Sequence, residues 1–384
     1  MNPKMNAADA SRAPAIGRYP DQAPSPQKKD SSRQARESFN ILIVKLSAIG
    51  DVIHTLPSLS ELRRLYPEAH ITWVVEEAAT DLILGHPHLD EVLVSRRKSW
   101  IKDFQSGKVA AALRDARLFI RRLRCRRYDL VIDFHGLLKS AVVVFLSGGK
   151  RKLGYDSWQE MSGLFLNEKI PEDMNKHAVD RYLDFLRYLG ADVGKAKFVL
   201  PLTDGTREQA CRLLDQYQLA EKSYIAVNPV AYWETKLWDN GKFAQLADAI
   251  RDQLKLDVIF TGNDGRDAAD ILSRMKGKGI NLGGKTSLPV LAEIYKSARA
   301  VITTDSGPMH LAAAVGTPVV ALFGPTDPAR TGPYGEGHTV IRADLACSPC
   351  LLKKCPTREC MAAITPEQVF AALERVIRRQ KSNE

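Results

Sequence analysis

The sequence predicts an α/β protein built from two doubly wound domains of parallel strands that face each other across a cleft. Short β-branched runs alternate with helical patterns along the chain, which is typical of parallel sheets. The alternation runs through the first half and starts again at Tyr224. At 384 residues, the chain is also long enough for two domains with well-filled cores.

The chain divides into four parts by composition and pattern. Residues 1–38 are rich in Pro, Ser and charge, and we expect them to form a disordered tail. We expect a first domain over residues 39–204 and a second over residues 205–363. The remaining residues, 364–384, have apolar positions at helical spacing and predict a helix able to pack back across the domains.

Each half contains four strand-like runs. In the first half they are ILIVKL, HITWVVEE, DEVLVS and YDLVIDFHG, with helices over LPSLSELRRLY, VAAALRDARLFIRRLRCRR and HAVDRYLDFLRYLGA. In the second half they are YIAVNPV, DVIFTGND, AVITTDSG and TPVVALFGP, with helices over FAQLADAIRDQL, SLPVLAEIYKSA, MHLAAAVG and PEQVFAALERVIRRQ. The stretch AVVVFLSGG after Ser140 is too short to span a membrane, and we interpret it as buried core.

The composition is that of a soluble globular protein, with 45% hydrophobic and 26% charged residues. No apolar run reaches the roughly 18–20 residues of a membrane helix, and the N-terminus lacks the apolar core of a signal peptide. We therefore expect a cytoplasmic protein.

The net charge is +10, and residues 96–127 hold twelve Lys or Arg against two Asp. Such a segment suits an anionic partner, namely a phospholipid surface, a phosphorylated glycolipid or nucleic acid, or else it is a solvated helix face.

Two glycine-containing turns hold the residues whose side chains suggest a chemical role. In VITTDSGPMHLAAAVG, a strand ends at Thr304 and a small-residue helix follows, so the Ser306–Gly307 turn can present N–H groups to an anion. Asp305 can accept hydrogen bonds from sugar hydroxyls, and His310 lies one turn into the helix. The alternative is that Asp305 only caps the helix and His310 is a core residue.

The other turn, in KLSAIGDVIHTLP, has the same strand–Gly–helix pattern, but it places Asp51 where phosphate oxygens usually bind. A third segment, NPVAYWETKLW, puts Lys236 in the loop after a strand, where it is well sited for a phosphate or is simply a surface lysine. The sequence thus predicts two turns of different chemistry around one cleft.

These motifs resemble those of the ADP-heptose:lipopolysaccharide heptosyltransferases. KLSAIGDVIHTLP and TTDSGPMHLAAAVGTPVVALFGPTDP look like the family's two signatures, and YDLVIDFHGLLKSA, RKLGYD, HAVDRYLDFLRYLG and the TKLW loop also fit. The resemblance spans roughly residues 40 to 380. GDVIHTLP and RRKSWIKD look most like the members that add heptose to the Kdo of Kdo-lipid A.

The resemblance implies a GT-B fold of two Rossmann-like domains, with the acceptor on the first and the nucleotide sugar on the second. It implies an inverting, metal-independent transfer from ADP-heptose to Kdo-lipid A, with Asp51 as catalytic base. The implied donor-binding residues are Lys236, Asp264, Thr286, Asp305, Ser306, Gly307 and His310. The implied acceptor-binding residues are Arg96, Arg97, His135 and Lys139. It also implies peripheral association with the cytoplasmic face of the inner membrane.

The chain departs from the family pattern in the phosphate loop, where Ala231 and Tyr232 replace hydroxyl residues. This puts side-chain contacts from those two positions in doubt. An inverting transfer needs one base for the attacking hydroxyl and positive charge for the departing diphosphate. Asp51 can supply the first, and Lys236 with the Ser306–Gly307 turn can supply the second without Mg²⁺.

The segment CSPCLLKKCPTREC contains four cysteines, Cys347, Cys350, Cys355 and Cys360, within fourteen residues. A structural zinc site, free packed thiols and a redox role all fit this spacing, whereas common iron–sulfur spacings do not. No cofactor is expected for catalysis.

Three other functions compete with a heptosyltransferase that uses Kdo-lipid A. The first is a family member that uses an already heptosylated core acceptor. The second is another GT-B sugar-nucleotide enzyme, such as an epimerase, which would need acid–base residues on both faces of the sugar. The third is a nucleic-acid-binding protein, and it is disfavoured because few aromatics are interleaved with the cations. The sequence does not indicate the oligomeric state.

Overall fold

In the computed structural model, residues 39–156 and 163–383 are described, and the predicted tail over residues 1–38 lies outside these ranges. Within the two described ranges, no helix is long and apolar enough to cross a bilayer. By their contacts, the two described ranges form a single unit.

The first half of the described chain forms a parallel sheet in the order β3-β2-β1-β4-β5-β6. Its strands are β1 (Asn40–Val44), β2 (His70–Glu76), β3 (Glu91–Ser95), β4 (Leu130–Asp133), β5 (Arg151–Tyr155) and β6 (Glu168–Ile170). Because β1 has β2 on one side and β4 on the other, the chain changes direction beside β1. In a doubly wound sheet such a switch point opens a crevice at the C-terminal ends of the strands.

Helices cover both faces of this sheet. They are α1 (Ile49–Leu65), α2 (Arg97–Gln105), α3 (Val109–Leu123), α4 (Leu138–Ser147) and α5 (Ala178–Tyr188). Alternate residues of a strand point to opposite faces. Accordingly, Ile41 and Ile43 of β1 join the core under α1 and α5, whereas Leu42 and Val44 join the core under α3 and α4.

The second half repeats the winding, with a parallel sheet in the order β12-β11-β10-β7-β8-β9. Its strands are β7 (Tyr224–Asn228), β8 (Asp257–Phe260), β9 (Ile280–Asn281), β10 (Ala300–Thr304), β11 (Val319–Phe323) and β12 (Thr339–Arg342). Here the switch point lies between β7 and β10. The predicted pair of doubly wound parallel-sheet domains is therefore confirmed.

The helices of the second half are α6 (Asp204–Gln216), α7 (Asn240–Ala249), α8 (Arg266–Arg274), α9 (Leu288–Ser297), α10 (Gly307–Ala314), α11 (Pro328–Thr331), α12 (Glu359–Ala362) and α13 (Pro366–Asn383). The C-terminal helix α13 packs on α7 and on β10, β11 and β12 of the second sheet. Its buried residues Val369, Leu373 and Val376 belong to the core on that side.

The two halves share a hydrophobic core. One cluster of buried side chains runs from α1 and α5 in the first half to α9 and α10 in the second. The N-terminal turn of α1 meets that of α10, and α9 contacts the short 3₁₀ turn Glu77–Leu82. This contact brings the ends of the two switch-point strands, β1 and β10, together.

Two local predictions were wrong. The first helix begins at Ile49 rather than at Leu56, because Asp51 accepts a hydrogen bond from the backbone N–H of Ala48 and so closes the first turn early. The stretch after Ser140 is not simply buried core. It belongs to α4, whose Val142 and Phe145 are 46% and 57% exposed.

Candidate active site

Asp51 lies at the N-terminal turn of α1, directly beyond β1. Its Oδ2 accepts the N–H of Ala48 at 3.0 Å, and its Oδ1 accepts the hydroxyl of Tyr182 at 3.5 Å. The carboxylate is partly exposed at the junction between the two halves. It is therefore held in place while still open to a ligand.

Behind Asp51 lies a buried polar chain that the sequence did not reveal. The Nζ of Lys45 donates to the hydroxyl of Tyr182 at 2.6 Å and to the carbonyl of Phe134 at 2.8 Å. Burial lowers the pKa of Lys45, while the charges of Asp51 and Asp133 act in the opposite direction. Burial, followed by the charge of Asp51, raises the pKa of Tyr182. Tyr182 therefore stays protonated and links Lys45 to Asp51.

The second turn lies across the junction. Lys236 forms an ion pair of 2.6 Å with Asp305, and Thr326 Oγ1 donates to the same carboxylate oxygen at 2.6 Å. The Nζ of Lys236 also lies 4.6 Å from the ring centre of Trp233. Asn228 donates to Ser306 Oγ at 3.1 Å and so ties the end of β7 to the cap of α10. A cation and a helix N-terminus thus lie side by side.

The two turns touch directly. A Cβ on Gly50 would lie 2.5 Å from Cδ2 of His310, and a Cβ on Gly307 would lie 2.7 Å from Cγ2 of Ile49. Both glycines are therefore needed for the close approach of α1 and α10.

Three histidines line this contact, and only His310 was predicted. His54 Nε2 and His310 Nδ1 are 2.9 Å apart, and the ring of His177 lies 5.2 Å from that of His54. Burial lowers the pKa of His310 to about 4, although Asp305 and Asp51 act in the opposite direction. Burial and the neighbouring His310 lower the pKa of His54 well below its usual range. Both rings are therefore neutral near pH 7, and one donates a hydrogen bond to the other.

Asp264 and Thr286 follow β8 and β9, away from the switch point. The loops that carry them are packed together through glycines, since a Cβ on Gly283 would lie 2.3 Å from Cα of Gly265. Asp264 is exposed. It accepts the backbone N–H of Arg266 at 3.1 Å and pairs with the guanidinium of Arg266 at 2.6 Å, and these two contacts, the backbone one first, lower the pKa of the carboxyl. Thr286 directly precedes Ser287, the cap of α9.

Cations gather around Glu76, a buried carboxylate at the end of β2. Arg97, Lys98 and Lys139 approach it at 3.4, 3.5 and 3.5 Å. Lys139 also donates to Ser47 Oγ at 2.7 Å, which places the cluster beside the turn that carries Asp51. Glu76 was not predicted. It holds Arg97, Lys98 and Lys139 together on the side of the first domain that faces the Asp51 turn.

The other two predicted acceptor residues have separate surroundings. Burial, followed by the charges of Lys45 and Lys139, lowers the pKa of His135 to about 2, and a hydrogen bond with the backbone of Ser47 acts in the opposite direction. His135 is therefore neutral. Arg96 pairs with Glu77 at 2.9 Å rather than with Glu76, and this contact raises the pKa of the guanidinium. It thus lies at the edge of the cluster.

The cysteine-rich segment supports the Lys236 loop. Thr235 Oγ1 donates to the carbonyl of Leu352 at 2.7 Å, and the backbone N–H of Cys350 donates to the carbonyl of Pro325. The sulfur of Cys355 accepts the backbone N–H of Arg358 at 3.4 Å.

Within the described parts of the chain, no group of three or more His, Cys, Asp or Glu is arranged to hold one. The zinc site stays a prediction, to be tested by metal analysis of protein purified without chelator.

Comparisons with known proteins agree with this geometry. The model of glycosyltransferase family 9 (heptosyltransferase) matches residues 116–361. The chain is 31% identical to lipopolysaccharide heptosyltransferase 1 of Pseudomonas aeruginosa, over 88% of this chain and 98% of that protein. It is 27% identical to lipopolysaccharide heptosyltransferase 3 of Escherichia coli, over 85% of this chain and 95% of that protein.

A solved structure gives the same result. The E. coli heptosyltransferase WaaC with ADP is 25% identical and superposes with a TM-score of 0.71, over 88% of this chain and all of that one. The similarity confirms the expected GT-B fold, in which two doubly wound domains face a cleft. The chain therefore belongs to glycosyltransferase family 9, the heptosyltransferases, and is a glycosyltransferase.

Proposed function

We propose that this glycosyltransferase moves heptose from ADP-L-glycero-D-manno-heptose to the Kdo of Kdo-lipid A in lipopolysaccharide inner-core synthesis. The transfer inverts the anomeric centre and uses no metal ion. One observation carries the proposal. The carboxylate turn of α1 lies directly against the α10 turn, which has a cation beside its helix N-terminus. A base and an anion site therefore flank one reaction centre.

In the proposed step, the acceptor hydroxyl gives its proton to the Asp51 carboxylate as its oxygen bonds to the anomeric carbon of heptose. The bond from that carbon to the β-phosphate oxygen breaks on the opposite face, and ADP leaves with the electron pair. Lys236 and the N–H groups at the start of α10 offset the negative charge that develops on the diphosphate. Neutral His310 can donate a further hydrogen bond.

Support for the donor comes from the second half. The E. coli relative holds ADP, and the loops after β8 and β9 extend the α10 turn along the edge of the same sheet. We assign the ribose hydroxyls to Asp264 and the adenine to the backbone beside Thr286. Asp305 already binds Lys236, so its first role is to orient that lysine towards the diphosphate.

Support for the acceptor comes from the charge of the first half. Kdo carries a carboxylate and lipid A carries phosphates, and both need cations at the mouth of the cleft. Arg97 and Lys139 supply them beside the Asp51 turn, with His135 beneath and Arg96 at the edge. Because this acceptor is a lipid, we place the enzyme at the cytoplasmic face of the inner membrane as a peripheral protein.

The test is an acceptor panel with the full chain. ADP-heptose is incubated separately with Kdo-lipid A, a heptosylated core acceptor and no acceptor, in the presence of EDTA, and ADP release is measured. We expect release with Kdo-lipid A only, unaffected by EDTA, and a product whose anomeric configuration is opposite to that of the donor. No release with any acceptor would refute the proposal, and loss of activity in EDTA would refute metal independence.

A heptosylated core acceptor is the second candidate. The 27% identity to lipopolysaccharide heptosyltransferase 3 over most of the chain favours it, since relatives of more than one acceptor type share this fold. Release of ADP with the heptosylated acceptor but not with Kdo-lipid A would select this alternative.

A further inference from the structure

The outward side of α3 presents apolar and cationic residues together. Six exposed positions at the spacing i, i+3, i+4, i+7, i+8 and i+11 form one side of the helix and line a shallow groove. They are Ala110, Leu113, Arg114, Arg117, Leu118 and Arg121. Leu113 and Leu118 are 49% and 54% exposed. Leu113 and Leu118 therefore do not contribute their exposed surface to the core of the described chain.

Helix α4 continues this surface. Phe119 and Leu123 of α3 and Val143 and Val144 of α4 pack in one core cluster on the same face of the first sheet. The opposite sides of both helices therefore point outward together. On α4, that side carries three exposed apolar residues, Leu138, Val142 and Phe145. We name these nine residues of α3 and α4 the α3–α4 face.

We propose that the α3–α4 face docks on an anionic phospholipid bilayer. An amphipathic helix with leucines flanked by arginines lies in the plane of a membrane, with its apolar side chains among the acyl chains and its cations at the head groups. The charge fits, because residues 96–127 carry twelve Lys or Arg against two Asp. One of those acids, Asp115, lies near Arg96 and Arg114 at 3.8 and 3.9 Å.

Other occupants fit less well. A second copy would bring like charges together, and the tail over residues 1–38 has the same sign, with seven Lys or Arg against four Asp or Glu. A nucleic acid would account for the arginines but would leave the leucines and Phe145 without a role, since bases stack on aromatic rings interleaved with the cations.

Docking through this face has a consequence for the reaction, and this step rests on the proposed function. Leu138, at the start of α4, directly precedes Lys139, which contacts Ser47 and Glu76 at the acceptor side of the cleft. A bilayer on the α3–α4 face would therefore lie next to the cations proposed for Kdo and lipid A phosphates. A lipid-borne acceptor would reach Asp51 without leaving the membrane.

The test is vesicle binding by the full chain, measured by flotation. Vesicles of phosphatidylcholine alone are compared with vesicles containing phosphatidylglycerol at about a third of the lipid, at about 0.1 M salt. We expect binding to the anionic vesicles only. Each cation near an anionic surface contributes about fivefold, so the triple variant Arg114→Gln/Arg117→Gln/Arg121→Gln should bind on the order of 100-fold more weakly. The double variant Leu113→Gln/Leu118→Gln should lose roughly tenfold.

The matched control removes three exposed arginines from the second half, as Arg207→Gln/Arg212→Gln/Arg375→Gln, and should bind like the original chain. Equal binding to both vesicle types, or unchanged binding by the α3 triple variant, would overturn the proposal. So would duplex RNA or DNA that displaces the protein from anionic vesicles at equal phosphate concentration. Turnover with a delipidated, water-soluble Kdo acceptor separates the two proposals. If the protein binds anionic vesicles but does not turn over the soluble Kdo acceptor, the proposed function fails and the docking proposal stands. The triple variant should turn over this soluble acceptor at the rate of the original chain.

Discussion

The turns before α1 and α10 both follow a central strand of a doubly wound sheet, and both leave a helix N-terminus at the same junction. They differ in charge. The α1 turn carries its own carboxylate, Asp51, as third residue of the helix. The α10 turn carries no acid within the helix and instead has Lys236 beside it, held by Asp305. The positive end of α1 is therefore already compensated, whereas that of α10 remains available to an anion.

The difference shows that a strand–Gly–helix turn does not by itself indicate a phosphate site. The backbone supplies positive potential in both turns, and one nearby side chain decides how that potential is used. At α1 it is offset by the carboxylate of Asp51, the proposed base, and at α10 it adds to the charge of Lys236. An active site with two helix ends in contact can thus divide proton transfer from anion binding.

The variant Asp51→Asn has the largest expected effect on the proposed difference between the two turns. The amide can still cap α1, but it cannot accept a proton, so we expect kcat to fall about a thousandfold while ADP affinity stays within about twofold. Steady-state kinetics and titration with ADP measure the two effects. Asp81→Asn, an exposed carboxylate in the same half, is the control and should have no effect. A kcat within about threefold of the original would exclude Asp51 as the base.

The corresponding change on the α10 side is Lys236→Gln. Loss of the cation should lower kcat roughly 100-fold and weaken ADP binding, because the diphosphate loses its counter-charge. It also leaves the buried carboxylate of Asp305 without its counter-charge, with Thr326 still donating to it, and this should lower the free energy of unfolding by about 3 kcal/mol.

The double variant Lys236→Gln/Asp305→Asn separates these effects. It removes the unpaired carboxylate, so stability measured in urea should recover while activity does not. Recovery of activity in the double variant would show that Lys236 acts only through folding and not on the diphosphate.

Sequence patterns were sufficient to identify the candidate residues that lie in a turn directly after a strand. Asp51, Lys236, Ser306, Gly307 and His310 each follow a strand, and the strand–turn–helix pattern is sufficient to place them near a cleft. Sequence patterns also predicted four of the six strands in each sheet, because buried parallel strands are continuous apolar runs. The four strands they missed, β5, β6, β9 and β12, lack such runs.

The residues that sequence patterns missed depend on partners far along the chain. Lys45 is the first polar residue after an apolar run, and it is tied to the site through Tyr182, which lies 137 positions away. Glu76 is the first of the two acids that close the run HITWVVEE, and from the sequence it looks like a surface acid, but in the structure Lys139 contacts it. His54 is likewise explained only by His310, 256 positions away. The His54–His310 pair depends on how the two domains meet, whereas the other two pairs depend on the packing within the first domain. Local sequence patterns encode neither.

Acid should weaken the contact between the two turns. The pKa of His310 is lowered to about 4 in the folded chain, against 6.5 for an ordinary histidine, so below pH 6.5 the unfolded state binds more protons. Stability is therefore present above that pH and is lost as the pH falls towards 4. For His310 alone, the loss between pH 7 and pH 5 is about 2 kcal/mol.

Urea denaturation of His310→Gln at the two pH values tests this expectation, and its acid loss should be smaller by that amount. His86→Gln is a matched control, since burial also lowers the pKa of His86 to about 4 but its ring contacts the carbonyl of Val199, away from the junction. It should reduce the acid loss similarly without changing ADP affinity. An undiminished acid loss in His310→Gln would mean that His310 is already charged in the folded protein.

The smallest effect concerns the acceptor side of the α1 turn. Lys139 lies 2.7 Å from Ser47 and 3.5 Å from Glu76, so it can reach an acceptor carboxylate beside Asp51. Lys139→Gln should raise KM for the acceptor about tenfold, the value of one charge-assisted hydrogen bond, and leave ADP affinity unchanged. Lys195→Gln, an exposed lysine of the same half, is the control. If ADP affinity fell as much as KM rose, Lys139 would act on both substrates, and the division between a proton-transfer turn and an anion-binding turn would not extend to the side chains around them.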